Sequence, residues 1–593
     1  MIPDAIKDRL TSPNDTYTSP LATRNASGEM LRIWSPRHKF NTWRRIWLAV
    51  AEAMHEVTKN DAKGAPSASS GASSTAATAP PAPSGPLVTR EQVEELRAVV
   101  DRGITDAEIA RAAELERDLR HDVMAHVHCL GEQAPKARPI IHLGMTSQDV
   151  VCNADLMIIA QATMLLFEKT IRLIMSLGEF AKRTVDIPAL GFTHYQAAQP
   201  TTVGRRAAQW AAELEVARGL ALQRHEQGVM RVKGLRGATG TQASYLSLLG
   251  DGAIVDEVEA RSIPLMQNWA IPPVWDDAGL KAKQDRSAKW LEVERDRSTA
   301  HHTPGGRRAA EEAMERLRGR SVDDERRRQA QGLIGAYTFP LASQTYPRVL
   351  DAITLSDLAS IASVLHKIAT DIRLLSNRKE LDEPFGDKQI GSSAMPYKRN
   401  PMKCERICGL TRFVMNLVGN AYDTAATQWL ERTLDDSSNR RLSLPEAFLA
   451  LDGALDLMHQ VASGLVVHEA MVRKNLMAEL PFLATENILM AAVKAGADRQ
   501  DYHEKIRAHA QAAGMRVKQE GLDNDLLDRL KADPAFGPPA LKHALDWDNL
   551  MDPMQYIGRS IEQTERFLKD VVEPLREQYG DELARLGDSD RGV

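Results

Sequence analysis

Residues 155–184 read DLMIIAQATMLLFEKTIRLIMSLGEFAKRT. Apolar side chains return every three or four positions, and Ala, Leu, Met, Glu and Arg, all good helix formers, are frequent. The spacing predicts one long helix. Working outward, Gly204 to Met230, Arg348 to Ser376 and Ser443 to Leu465 repeat the pattern, while runs alternating with period two are scarce. Helices of this length, rising about 1.5 Å per residue, suit an elongated bundle better than a compact α/β domain. The expected fold class is therefore all-α.

The chain has 593 residues, enough for several domains of about 150 residues each. Hydrophobic residues make up 43% and charged residues 26%, as in soluble globular proteins. A formal charge of -5 gives no global reason to expect a nucleic-acid or anionic-membrane partner. Cys129, Cys152, Cys404 and Cys408 are too sparse for a disulfide scaffold. Cys404 and Cys408 have helical spacing but no second Cys/His pair to complete a zinc site, so buried thiols are expected. Met1 to Leu10 is polar and does not read as a secretory signal. No apolar run is read as approaching the roughly 18 residues that cross a bilayer. A cytoplasmic protein with no membrane partner is expected.

Two segments interrupt the helical pattern. Asp61 to Pro86 is dominated by Ala, Ser, Pro and Gly, which cannot bury enough apolar surface to offset ordering entropy. With its flank, 61–88 is expected to be a disordered insertion between a helix over Asn41 to Thr58 and another opening at a Thr89/Gln92 capping box. The second segment, about 263–331, contains Pro272-Pro273, His301-His302 and, from Gly305 to Arg328, eight Arg against six Asp/Glu. Such a charge mixture is ordinarily a solvated helix rather than a nucleic-acid patch.

Seven motifs carry possible chemistry. Gly391-Ser-Ser-Ala-Met-Pro-Tyr-Lys-Arg-Asn-Pro401 puts two hydroxyls and a cationic pair between a flexible glycine and two helix-breaking prolines. It reads as a loop that carries those groups to a defined place. Its serine hydroxyls could act as a base only if the alkoxide were stabilised, for instance by Lys398. Gly191 to Gln196 holds His194, able to protonate a leaving nitrogen near neutral pH. Arg120 to His128 contains three histidines. At 100° per helical residue only His121 and His128 share a face, which argues against a three-His metal site. Thr146 and Ser147, in Leu143 to Asp149, sit at a turn read as preceding a helix from Asp155 onward, where hydroxyls can donate to a carboxylate. Val232-Lys233-Gly234 and Gly240 to Ser244, the latter with Gln242, offer glycines for close ligand approach. In Gln428 to Arg441, Arg432, Ser437 and Arg441 could clamp a phosphate or carboxylate, or form an ion-paired surface with Asp435 and Asp436. Ser19 to Asn25 contains Arg24.

Together these motifs resemble those of the fumarase/aspartase superfamily, whose members eliminate fumarate from succinyl compounds. The Pro-Tyr-Lys-Arg-Asn-Pro ending and the Arg432 to Arg441 block are most similar to the adenylosuccinate lyase family of eukaryotic type. The resemblance spans about Tyr17 to Leu575, the two insertions apart. It implies that Ser392, with Ser393 beside it, is the general base and His194 the general acid. Lys398 and Asn400 would hold the intermediate's carboxylate. His121 would support the acid and help place a phosphate, with Asp122 beside it. Thr146 and Ser147 would bind the fumaryl carboxylate, and Gln242 the substrate. Arg24, Arg432, Ser437 and Arg441 would bind the nucleotide. Arg24 is followed by Asn25 where the family has Tyr, so an aromatic contact is lost or taken over by Tyr17.

The resemblance further implies cleavage of adenylosuccinate to AMP and of SAICAR to AICAR, each with fumarate, using no cofactor or metal. It implies a homotetramer with a twenty-helix core and active sites shared between subunits. The implied division is an N-terminal helical domain (1–145), a central bundle (146–467, signature loop 389–402) and a C-terminal helical domain (468–593). The rivals are a sister lyase such as argininosuccinate lyase, which the Arg432 to Arg441 block opposes, and a non-catalytic structural relative, which would be expected to have lost Ser392, His194 or Lys398.

Overall fold

The computed structural model describes residues 16–59, 86–227, 231–268, 338–386, 388–536, 541, 546–547 and 549–587. Most of both insertions, with His301-His302 and the Arg-rich stretch, lies outside the described residues. Helix makes up 71% of the structure and strand very little, so the all-α expectation holds.

Five helices form the central bundle: Ser147–Arg183, Val203–Gln227, Val349–Asn377, Met402–Ala426 and Asp435–Gly464. Ser147–Arg183 packs on Val203–Gln227 and on Asp435–Gly464. Val349–Asn377 packs on Val203–Gln227 and Met402–Ala426, and the latter packs on Asp435–Gly464. Their shared core is aliphatic, with Leu166, Leu173, Leu358, Leu365, Leu451 and Leu455 all buried. Packed helices bury such apolar stripes by interdigitating their side chains.

One polar network crosses that core. Lys169 pairs with Asp452 and Asp456, and Arg172 Nη2 lies 2.6 Å from Asp456. Asp452 also accepts the Ser27 N–H at 2.6 Å. Removing one partner of such a set costs about 3–5 kcal/mol, because a charge is left buried and unpaired. The N-terminal segment is thereby pinned to the bundle, where Leu21, Ala26 and Met30 join its core.

A second core lies on the N-terminal side, where Pro36–Thr58 packs on Arg90–Asp101, Gly252–Asn268 and the start of Ser147–Arg183. The Thr89/Gln92 capping box opens Arg90–Asp101 as read from the sequence. A third core gathers Ile488, Ile506, Leu526 and Phe536. Beyond it the chain returns, so that Val572 and Leu575 pack into the central bundle.

Three sequence expectations need correction. The helix expected from Asp155 begins at Ser147, because the Asp149 carboxylate accepts the Thr146 N–H at 2.9 Å and caps the first turn. The helix expected from Ser443 begins at Asp435 and continues through Pro445, so Ser437 and Arg441 stand on a helix. Finally, three helices among the described residues are long and apolar enough to cross a membrane: Ser147–Arg183, Val349–Asn377 and Glu469–Lys494. Of their most apolar windows, 72%, 56% and 44% is buried inside the protein. Helices packed on several sides carry apolar residues on more than one face, which lengthens the apolar run.

Candidate active site

A cavity of about 680 Å³ opens where the N-terminal core meets the bundle. Its walls come chiefly from the start of Pro36–Thr58, the turn at Arg120 to Val123, the start of Ser147–Arg183 and the start of Asp435–Gly464, with Trp34, Gln344, Arg348 and Arg432 completing them. Helix beginnings converge here, so several N–H-rich, positively polarised termini face one space.

His121 is not inside a helix. It is the N-cap of Asp122–Gln133, preceded by Arg120 in the left-handed region at φ 54°. Helical angles therefore do not apply to His121, and its ring faces the Ser147–Arg183 helix. Its Nδ1 accepts the Met124 N–H at 3.3 Å, and its Nε2 lies 3.3 Å from Ser147 Oγ. With Nδ1 an acceptor, the neutral ring carries its proton on Nε2 and donates to Ser147. The Ser147 hydroxyl proton is then left for a ligand. Asp122 bridges to Arg441 Nη2 at 2.8 Å. Burial pushes the Asp122 carboxyl up, but the Val123 N–H and Arg441 outweigh it and hold the group below its usual range.

Arg432 is held by side chains rather than by Asp435. Its Nη1 donates to Gln344 Oε1 at 2.9 Å, and the Gln148 amide, oriented with its oxygen inward, accepts from both terminal nitrogens at 2.9 and 3.2 Å. Asp436 is 3.9 Å from Arg432 and closer, at 2.7 Å, to Arg348. Arg440 is committed internally to Asp351 at 2.6 Å and Asp155 at 3.0 Å. Arg441 faces Asp122 instead of Asp435 or Asp436, and remains more than half exposed.

Behind Thr146 lies a rigid support. Lys233 is fully buried and meets Asp149 at 2.6 Å, while Asp149 also accepts the Arg236 and Gly237 N–H groups. Gly234 has φ +82°, and a Cβ there would come within 2.0 Å of Glu259 Oε1. Only glycine fits that turn. Glu259 also receives Arg236 at 2.8 Å and the Gln242 amide at 2.9 Å. Its carboxyl is raised, burial outweighing those partners. The Gln242 NH2 group is thus spent inside the protein.

The signature loop lies apart from this cavity. Gly391 lies against the Lys398 carbonyl, which a Cβ would meet at 2.1 Å. The Asn400 amide donates to the Gly391 carbonyl at 2.9 Å, closing the loop on itself. Ser392 is half-buried and its Oγ accepts the Met395 N–H at 3.1 Å; Ser393 and Lys398 are exposed. His194 sits at the tip of a hairpin, Pro188–Thr193 paired with Gln196–Thr202. Both turn residues, His194 and Tyr195, have positive φ, 54° and 57°. Such two-residue turns favour Asn-Gly, so His-Tyr is held there against local preference. Arg24 is exposed in the N-terminal segment. Tyr17 is 88% exposed and does not line the cavity.

A family model described as "Lyase" matches residues 53–247 and 340–416, and one described as "Adenylosuccinate lyase C-terminus" matches 481–567. The chain is 41% identical over 565 residues to the adenylosuccinate lyase of Schizosaccharomyces pombe, covering 94% of this chain and 96% of that one. It is 39% identical over 577 residues to that of Saccharomyces cerevisiae, covering 96% and 99%. The chain belongs to the adenylosuccinate lyase family. Among solved structures, the 3-carboxy-cis,cis-muconate lactonizing enzyme from Pseudomonas putida matches with TM-score 0.66 at 20% identity, over 94% of this chain and 98% of that one. A fumarate lyase from Mesorhizobium sp. BNC1 gives 0.64 at 18%, over 93% and 99%. These two likenesses bear on the fold alone.

For a member of this family, one chain brings together half of the residues singled out from sequence. His121, Asp122, Thr146, Ser147, Arg432, Ser437 and Arg441 line the cavity. Arg24, His194, Gln242, Ser392, Ser393, Lys398 and Asn400 do not. Sequence reading missed Lys39, Gln148, Gln344 and Arg348, which also line it. Only Gln148 falls inside a motif read from sequence, Leu143 to Asp149. Among the described residues no group of three His, Cys, Asp or Glu is placed to hold a metal. All four cysteines are free and buried, as expected.

Proposed function

We propose that this lyase cleaves adenylosuccinate to AMP and fumarate, and SAICAR to AICAR and fumarate, by anti β-elimination. The observation that carries this reading is the cavity, where Arg432 and Arg441, with Ser147 and the His121 that positions it, offer guanidinium forks and a hydroxyl to an anionic ligand. Guanidinium forks suit phosphate and carboxylate oxygens. In the proposed step, Ser392 takes the proton from the carbon beside the succinyl carboxylate. The electron pair forms the fumarate double bond, the carbon–nitrogen bond breaks, and His194 delivers a proton to the departing nitrogen. Lys398 and Asn400 hold the charge that develops on the carboxylate, and Arg24 adds to the phosphate contacts.

The proposal requires a homotetramer in which other subunits supply the loop and the hairpin tip. It is supported by the position of both outside the cavity. Exposed apolar side chains also favour it: Val216 at 63% and Leu442 at 67% on bundle helices, and Trp429 at 73% on the connection between two of them. A cytoplasmic location and a three-part division at about residues 145 and 467 belong to the same reading.

The test is absorbance-monitored cleavage of adenylosuccinate, then SAICAR, by EDTA-treated protein of measured mass. AMP and fumarate in equal amounts from a tetramer are expected. A folded tetramer that cleaves neither substrate would overturn the assignment.

A further inference from the structure

Lys39 stands in the first turn of Pro36–Thr58 and lines the cavity. Its ammonium lies 4.8 Å from the Phe40 ring centroid and 5.0 Å from that of Trp43. Those rings meet edge to face at 5.3 Å, and His126 lies against Phe40 at 3.8 Å. The stem therefore rests on a rigid aromatic platform. Asp122, Asp155 and Glu116 act on the ammonium only at a distance: among the described residues no carboxylate lies within ion-pair range of it. Burial pulls its pKa down, and the nearby Arg441 charge pulls it further. Two cations thus share one partly dry space, while the nearby Asp122 is already bonded to Arg441. An anion would relieve that repulsion. Aromatic faces attract an ammonium but do not neutralise its charge, as an anionic oxygen would.

We propose that Lys39 is a direct ligand-binding residue of this cavity, its ammonium contacting an anionic oxygen alongside Arg441. The recognised chemistry is a phosphate or carboxylate. A nucleotide's 5′-phosphate and a succinyl carboxylate are its two possible sources. The inference rests on the reading of the cavity as the ligand site of the lyase.

The experiment uses the full-length protein, Lys39→Met, which keeps the apolar stem, and Lys39→Arg, which keeps the charge. Calorimetry with AMP, inorganic phosphate and fumarate reads each source without turnover. Lys39→Met is expected to weaken AMP and phosphate by at least about tenfold, the loss of one charge-assisted bond, and to leave fumarate unchanged. Lys39→Arg is expected to recover most of that loss. Weakened fumarate with unchanged AMP also supports the contact but assigns it to the carboxylate. Unchanged affinity for all three probes overturns the proposal. So does a loss that Lys39→Arg fails to recover and that comes with a lowered Tm, because the stem's packing then explains it. Wild-type protein that binds AMP but cleaves no adenylosuccinate would break the reaction assignment and leave the Lys39 contact standing.

Discussion

The cavity and the signature loop are built in opposite ways. In the cavity, side chains from distant parts of the sequence lock one another: Arg441 on Asp122, His121 on Ser147, Arg432 on Gln148 and Gln344. In the loop, residues within ten positions satisfy each other, Asn400 on Gly391 and Met395 on Ser392, while Ser393 and Lys398 stay exposed. The hairpin tip resembles the loop, with His194 exposed on a strained two-residue turn. A prebuilt cavity suits binding, where preorganised donors avoid an ordering cost. A self-contained loop presenting hydroxyl and ammonium groups suits delivery to a site on another copy. Under the proposed function, the contrast separates a binding half, gathered largely within one chain, from a chemical half that one chain presents to another.

The largest effect should come from the chemical half. Ser392→Ala is expected to lower kcat by about a thousandfold or more, as loss of a general base does, with AMP affinity unchanged in a binding titration. Near-normal turnover would remove Ser392 from the mechanism. Mixing Ser392→Ala with Arg441→Ala protein, after dissociation and reassembly, should give more turnover at low substrate concentration than either gives alone. A mixture as inactive as its components would break the proposed division of the site between subunits.

Gly391→Ala sharpens the same boundary. Its Cβ would meet the Lys398 carbonyl at 2.1 Å, so the loop cannot close as observed. Misplacing reacting groups by about 1 Å costs on the order of a hundredfold. The expected result is a fall in kcat of that order, with Tm and AMP binding close to wild type. A large fall in Tm would instead mean that the loop supports the fold.

Arg441→Met tests the binding half. Losing a charge-assisted contact should weaken AMP by about ten- to a hundredfold, with a smaller effect on kcat. It also frees Asp122, so Asp122→Asn in the same background should add little to the loss. Additive losses, measured as a double-mutant cycle on AMP affinity, would show that the two residues act separately.

How much of this was legible in the sequence follows the same line. The bundle helices were readable because their apolar periodicity is local and long. The loop was readable because Gly391, Pro396 and Pro401 forbid regular structure around its polar groups. The hairpin carrying His194 was not read as strand, since His-Tyr gives no turn signature and the two strands are short. Arg441 was read as an anion-clamp candidate, with Asp435 and Asp436 as the alternative partners. Its actual partner is 319 residues away in sequence, and no local pattern encodes that. Lys39 escaped for a related reason: its significance lies in the carboxylates it fails to reach, which only packing reveals.

The smallest expected effect separates both halves of the site from the frame that holds them. His225, on Val203–Gln227, is buried against Phe167, and neither ring nitrogen has a hydrogen-bond partner among the described residues. Burial pushes its pKa down to about 4, below the ordinary 6.5 it regains on unfolding. Between those values the unfolded chain binds the proton and the folded chain does not, so stability falls as pH drops. The His225 contribution is fully present above about pH 6.5 and lost by about pH 4. A difference of this size is worth roughly 3 kcal/mol. His225→Phe removes the proton uptake and the two unsatisfied nitrogens while keeping a ring in the core. Its Tm should match or exceed wild type at pH 7.5, and the advantage should widen as pH is lowered toward 4.5. Some acid sensitivity will remain, because burial also pushes His126 and His142 down to about 4. Parallel Tm curves for the two proteins would mean that the bundle already accommodates a charged His225. A matching shift in the pH profile of kcat would mean that the frame and the chemistry are coupled, contrary to the separation drawn between them.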